Sequence, residues 1–564
     1  MLVLICGAFW DGCERGADSS VAGPGASEKM LVPDFSVAVG KVRTPLKERI
    51  VSFHRGRADK NLIKLAAQLG FNGVQFQLEG SNEGAIQDFA KRDAKEHLVD
   101  YCHSLGMKVT VWVHELSDLP GPWMPEYLGV ESTDNQKLFD YLGNRYEWIL
   151  GKAIPNVDGL VLTVVETQVR ATQTPMLLKL CDLISKKCAE HHKEFVLRTF
   201  VWHLEELSGV MGAVNQLPHD TVLMSKWVAQ DWQMRGVAAP EIGPILAQKR
   251  PLLIEWDVEG EYFLHNQVAN CMVGMLQKQF EKVVGQGAEG IVVRVDRYDD
   301  EVLFQPSEVN LWALGMLASG AADSEEEIWD KWAAYRYPTL SGADRMTLIG
   351  ALKPTSDVVA ELLSAGPFTF GDTRRYPPLP DEDAFNQNWQ NWQWDASDVP
   401  AYEKAEHGDA GFIAEVTEAK GKAMGVAEQC LADLEKLRAA LPPVEYAILR
   451  TKLMTNKVQL AIRAPMVLAS LEWRAVQNAG SEEEKEGHLA AMRKHVEELC
   501  AVVGPGFAVP SYVDYLGRTW QVGSPEGVDR NAFMYWAWET ERLADGKRYP
   551  RGRVYERKVD PLHP

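Results

Sequence analysis

The stretch that decides the fold is "IVSFHRGRADKNLIKLAAQLGFNGVQFQL", residues 50–78. It opens with a short β-branched and aromatic run, "IVSFHR" (50–55), and closes with another, "GVQFQL" (73–78). Between them, "NLIKLAAQLGFNG" (61–73) sets Leu, Ile and Ala at helical spacing, and Gly70 and Gly73 mark its end. Strand, helix, strand is one βα unit handing the chain to the next.

The rhythm continues to about residue 300. Further strand-like runs are "KVTVWVH" (108–114), "GLVLTVVE" (159–166), "FVLRTFVW" (195–202), "TVLMSKWV" (221–228), "LLIEWDV" (252–258) and "GIVVRVDR" (290–297). Runs this apolar belong to parallel strands covered on both faces. Eight successive units predict an α/β fold, a closed (β/α)8 TIM barrel, over residues 46–315. An open doubly wound sheet is the alternative; the lack of a Gly-rich phosphate loop favours closure.

After residue 310 the strand signal stops. Periodic segments at 325–337, 412–441, 444–479 and 481–503 predict helices, with Pro442-Pro443 as a turn. Residues 316–564 therefore read as a helical C-terminal region packed on the barrel. Within it, "YPPLPDEDAFNQNWQNWQWDASDVPAY" (376–402) is rich in Pro and Trp. It reads as an ordered loop, because so many indoles are costly to leave in water.

A formal charge of −20 argues against nucleic acid or an anionic membrane as the main partner. No segment beyond the N-terminus approaches the roughly 20 apolar residues that span a bilayer. Residues 1–45 read as an export signal and linker: "MLVLICGAFWDGC" (1–13) is apolar up to Cys13, and "ERGADSSVAGPGASEK" follows. The expectation is an exported, periplasmic or lipid-anchored protein. The missing Lys/Arg start of such a signal leaves a cytoplasmic chain as the alternative. The eight Cys show no CxxC pair and read mostly as buried thiols, and "CAEHHK" (188–193) as a surface helix, not a metal site.

Barrel enzymes build their sites at the C-terminal ends of the strands. There the fourth run ends in Glu166, and Asp231 follows the sixth. The seventh leads through "LLIEWDVEGEYFLHN" (252–266), where Glu255, Asp257, Glu259 and Glu261 alternate onto one face. Arg198 lies in the fifth run and Lys226 near the end of the sixth. Glu166, Asp231 and Glu261 converging with two cations point to proton transfer on a polar or anionic substrate. Glycoside hydrolysis needs such a set, one carboxylic acid for the leaving oxygen and another carboxylate to activate water or attack. The opposing reading is a rim of acidic residues with no catalytic task.

Order and spacing add to this. "IPNVDGLVLTVVETQ" (154–168), "LRTFVW" (197–202), "SKWVAQDWQMR" (225–235) and "LLIEWDVEGEY" (252–262) resemble, in sequence order, the core of the family-67 glycoside hydrolases, the α-glucuronidases. The resemblance covers roughly residues 48–340. It implies Glu166 as general acid, Asp231 and Glu261 as the pair activating water, and inversion of configuration. It further implies that Arg198 and Lys226 grip the sugar, with Arg235 retained in the same motif, and that the helical region carries a homodimer interface.

There are departures. A third basic position is Leu162 here, Val165 and Thr167 flank the acid in place of Ser and Gly, and Asp257 and Glu259 replace Gln and Thr. Fewer than 50 residues precede the first strand, so the family's N-terminal β-rich domain is expected to be missing.

His114 at the end of the third run and Trp202 at the end of the fifth are further candidates to bond or stack on a sugar, against a rim hydrogen bond or a core aromatic. Glu255 is expected to be structural, with Arg294 offsetting its charge.

The expectation is an exo-acting, inverting glycoside hydrolase. It would remove a terminal uronic or other acidic sugar from a polysaccharide-derived oligosaccharide, with no metal or organic cofactor. Rivals are a glycosidase for another sugar and a non-catalytic carbohydrate-binding barrel.

Overall fold

The computed structural model describes residues 44–54, 60–78, 83–116, 133, 135–164, 173–201, 204–228, 234, 238–258, 268–297, 300–369, 379–381, 399–503, 511–513, 519–521 and 530–545. Eight strands pair in chain order and the last returns to the first, closing a barrel. They are β1 (Glu48–Phe53), β2 (Gly73–Leu78), β3 (Lys108–His114), β4 (Gly159–Thr163), β5 (Glu194–Arg198), β6 (Val222–Lys226), β7 (Leu252–Asp257) and β8 (Gly290–Arg294). Every pairing in the ring is parallel. Each strand therefore needs a crossover to the next, and helices supply it.

These helices are α1 (Lys60–Gln68), α2 (Glu83–Glu96), α3 (Leu98–Ser104), α4 (Gln136–Trp148), α5 (Thr174–Glu190), α6 (Leu204–Val214), α7 (Ile242–Ala247), α8 (Val273–Gly285) and α9 (Glu308–Ser319). Beyond the barrel run α10 (Glu325–Arg336), α11 (Gly342–Leu352), α12 (Thr355–Leu363), α13 (Val399–His407), α14 (Ala410–Lys436), α15 (Pro443–Asn478), α16 (Glu482–Val503) and α17 (Arg530–Ala544). The expected barrel with a helical region behind it is the fold found. Helices α10, α14, α15 and α16 coincide with the four periodic segments to within a few residues.

Alternation along the strands builds two cores. Val51, Phe76, Val111, Leu160, Leu197, Leu223, Ile254 and Val293 face outward into the layer shared with the helices. That layer continues into α15 through Leu449, Leu453 and Leu460, so barrel and helical region bury apolar surface together. Inside the cylinder, Ile50, Trp112, Val161, Val196, Met224, Leu253 and Val292 form a separate plug.

Two residues further along the seven strands that supply the plug, the inward position turns polar: Ser52, His114, Thr163, Arg198, Lys226, Glu255 and Arg294. Side chains two apart share a face, so these residues sit directly above the plug. They form the floor of the C-terminal mouth.

Several strands stop earlier than their sequence runs. Strand β4 ends at Thr163 and β5 at Arg198, yet Val164, Phe200 and Val201 beyond them are buried. Apolar character there reports burial and not membership of the hydrogen-bonded ladder. Gly73 does not end a helix but opens β2, where a Cβ would stand 3.0 Å from Ile50 Cγ1. Gly70 does follow α1, at φ +90°, with an added Cβ 2.6 Å from the Ser319 side chain. The Pro- and Trp-rich stretch lies almost wholly outside the described residues, and 1–43 lies outside them entirely. Among the described residues no helix is long and apolar enough to cross a membrane.

Candidate active site at the barrel mouth

The mouth is floored by an ion-pair network drawn from four adjacent strands. Arg198 on β5 meets Glu255 on β7, Nε to Oε2 at 2.7 Å and Nη2 to Oε1 at 3.2 Å. Arg294 on β8 bridges both acids of β7, 3.5 Å from Glu255 Oε1 and 3.0 Å from Asp257 Oδ1. Lys226 on β6 completes the set, its Nζ 2.9 Å from Asp257 Oδ2. All five residues are at most 4 % exposed.

Among the described residues, three cations and two carboxylates meet at this floor. Burial acts to raise the Glu255 carboxyl, but Arg198, Arg294 and Lys226 overcome it and hold the group below its ordinary value.

Aromatic rings brace the cations. The Trp112 ring of the plug lies 4.4 Å from the Arg198 guanidinium and 5.7 Å from that of Arg294. Phe200, just past β5, lies 4.4 Å from Arg198 on its own side and 5.8 Å from Lys226. Cation–π attraction strengthens where water is excluded, as here. Trp112 is itself fixed by its Nε1, which donates to Thr163 Oγ1 at 2.9 Å.

The structure thus brings Arg198, Lys226 and half-buried His114 to one mouth, the His114 ring 5.2 Å from that of Trp112. It also places Glu255 and Asp257 there, both engaged with cations. Arg294 pairs with Glu255 as expected, though Arg198 is the closer partner. Leu162 points away from the axis into the helix-facing core, so the third cation of the mouth comes from Arg294 on β8 instead.

Glu166, Asp231, Glu261, Trp202 and Arg235 lie outside the described residues, as do Val165, Thr167 and Glu259. Strands β4, β6 and β7 lead into the segments carrying the three acids, each from its C-terminal end.

Two other acids have structural partners. Glu115, after β3, is fully buried and accepts from Arg145 at 3.1 Å, the Tyr146 hydroxyl at 2.5 Å and Leu116 N at 2.7 Å. Asp296, after β8, accepts from the backbone N–H of His54 at the end of β1.

One group was not anticipated. Glu241 lies behind the barrel wall, fully buried, and accepts a hydrogen bond from Ser225 on the outer side of β6. Burial raises its carboxyl to about 7, opposed by Ser225 and by nearby Arg198. Nothing in "AAPEIGP" marks Glu241 as buried, since a lone Glu beside two prolines reads as a surface turn.

Among the described residues no three His, Cys, Asp or Glu side chains gather as a metal site. Helix α5 ends at Glu190, Cys188 is buried, and His191 faces Glu147 at 3.2 Å.

No protein-family model matches the chain, and no curated protein matches it either. Among solved structures the chain is similar to a GH138 enzyme targeting pectin rhamnogalacturonan II. The TM-score is 0.58 at 12% identity, covering 90% of this chain and 70% of that one. A GH20 β-N-acetylglucosaminidase follows at TM-score 0.33 and 12% identity, covering 52% of this chain and 73% of its own. A GH20 β-N-acetylhexosaminidase from Streptomyces coelicolor A3(2) gives TM-score 0.33 and 10% identity, over 52% and 68%. What the first likeness establishes is a shared fold, and its coverage takes in the barrel together with the helical region.

Proposed function

We propose that the chain is a glycoside hydrolase acting on a terminal uronic or other acidic sugar of a polysaccharide-derived glycan. The observation that carries this reading is the cluster of Arg198, Lys226 and Arg294, buried together at the floor of the mouth of a closed barrel. Three buried cations at one mouth suit an anionic guest, since a carboxylate brought there gains charge-assisted bonds that a neutral sugar lacks. The shared fold with an enzyme that targets pectin rhamnogalacturonan II supports a carbohydrate substrate.

In this reading Glu166 protonates the leaving oxygen, and Asp231 with Glu261 activates the attacking water, giving inversion. Arg198 and Lys226 orient the sugar, Arg235, Trp202 and His114 complete its contacts, and no cofactor takes part. Export to the periplasm or a lipid anchor, and a homodimer through the helical region, belong to the same proposal.

The test is a screen of aryl glycosides and uronate-capped oligosaccharides on wild type and Glu166→Gln. Turnover of a uronate-capped substrate that is lost in Glu166→Gln supports the reading. Glycan binding without turnover in either form replaces it with a carbohydrate-binding barrel. Turnover confined to neutral or amino sugars keeps the hydrolase and removes the acidic substrate.

A further inference from the structure

Three buried asparagines gather where the chain leaves and rejoins the barrel around Glu261. Asn310, on α9, donates from Nδ2 to the carbonyls of Val258 and Asn270, both at 2.8 Å. Its Oδ1 accepts from Met272 N at 2.6 Å. Val258 directly follows β7, whereas Asn270 and Met272 lie beyond Glu261 in sequence. One side chain therefore ties together the two feet of segment 259–267.

Asn456 grips one of these feet from the helical region. On α15, its Oδ1 accepts from Ala269 N and its Nδ2 donates to Ala269 O, both at 2.8 Å. Asn270 in turn places Nδ2 3.8 Å from Sδ of Met234, which stands in sequence between Asp231 and Arg235.

A primary amide is the short side chain that can both donate to and accept from a single backbone residue, much as a neighbouring strand would. These backbone groups are buried and need partners, yet the partners come from two separate helices instead of a sheet. Around Asn456, α15 carries a run of buried polar side chains. Lys452, Asn456, Gln459 and Arg463 recur at helical spacing, and each is at most 1 % exposed.

We propose that Asn310 and Asn456 are positioning residues, fixing the feet of the Glu261 segment so that Glu261 and Asp231 meet the substrate together. The helical region is then part of the active-site frame through Asn456. This inference rests on the assignment of Glu261 and Asp231 made under Proposed function.

The test compares wild type with Asn456→Asp, Asn456→Leu and Asn310→Asp by amide hydrogen exchange and steady-state kinetics on the substrate found in the screen. Asn456→Asp keeps the side-chain size and the acceptor for Ala269 N but replaces the donor by an oxygen that is charged when ionised, whereas Asn456→Leu removes both bonds without adding charge, so the two variants check each other. In Asn456→Asp, exchange at 268–272 is expected to quicken about tenfold or more while β7 (252–257) stays protected. On the same variant kcat falls at least about tenfold with KM within about threefold, because the reacting groups are misplaced while substrate binding persists.

Unchanged exchange at 268–272 overturns the inference, as does a rise spread evenly along α15. Faster local exchange with wild-type kcat also overturns it, leaving the asparagines structural only. A wild type without any turnover sinks the hydrolase reading and this inference with it, whereas an active wild type whose kcat survives the substitutions sinks this inference alone.

Discussion

Arg198 on β5 reaches past the intervening strand to hold Glu255 on β7, Nε to Oε2 at 2.7 Å, with both side chains shut away from water. A buried carboxylate that loses its charge leaves its cations facing each other. With Glu255→Gln, Arg198 and Arg294 lose the carboxylate they share, and the expected loss is about 3–5 kcal/mol of stability. Urea unfolding at neutral pH measures it. The double variant Arg198→Met with Glu255→Leu recovers much of the loss, because an apolar pair needs no desolvation of charge. The sign in acid follows from the lowered Glu255 value: its stabilisation is present above the ordinary carboxylate range and disappears as pH falls through the folded value.

Trp112 fills the plug and carries two guanidiniums on its ring. Trp112→Ala opens a cavity under the charged floor and is expected to cost about 3–5 kcal/mol. Trp112→Phe keeps an aromatic face but loses the 2.9 Å bond to Thr163 and part of the volume, so it costs less. Thermal unfolding of the two variants should rank them in that order. Equal losses would mean that ring volume and cation contact contribute nothing separate.

Much of this arrangement was legible in the residues. The alternation of Val196 with Arg198, Met224 with Lys226 and Leu253 with Glu255 writes the plug and the polar floor into the strands two residues apart. Arg294 could be paired with Glu255 from position alone, because each lies near the end of its strand.

What could not be read was partner choice. Asp257 pairs with Lys226 and Arg294 through barrel curvature and side-chain reach, neither of which periodicity encodes. Strand ends at Thr163 and Arg198 were overrun because buried residues past a ladder look the same as residues within it. Asn310 and Asn456 are isolated in sequence and become a clamp only when two helices bring them to the same loop feet.

Glu241 predicts a pH dependence of the opposite sign to that of Glu255. Burial raises its carboxyl from the ordinary 4.5 to about 7, so the folded state holds a proton that the unfolded chain releases. Its contribution is complete below the unfolded value and is lost as pH rises through about 7, a swing on the order of 3 kcal/mol. Glu241→Gln removes the ionisation while keeping an acceptor for Ser225. The wild type should therefore lose urea resistance relative to the variant between about pH 5 and pH 8, a range that takes in the folded-state titration near 7. A constant difference between the two proteins across that range would show that Glu241 titrates elsewhere.

Lys226 tests the charge argument for an acidic sugar. Its ammonium sits 2.9 Å from Asp257 Oδ2, and with Arg198 and Arg294 it makes up the cation cluster of the floor. Lys226→Met removes one of the three cations. A substrate carboxylate then loses a charge-assisted bond, and kcat/KM for a uronate-capped substrate should fall relative to a neutral glycoside by about 10–150-fold. Raising salt should narrow the wild-type preference only slightly, because charges buried this deeply are poorly screened. The measurement is the ratio of kcat/KM on matched acidic and neutral substrates, which cancels any common loss from altered packing. A ratio that stays at its wild-type value would mean that the cations of the floor serve Glu255 and Asp257 alone, and the preference for an acidic sugar would have to be given up.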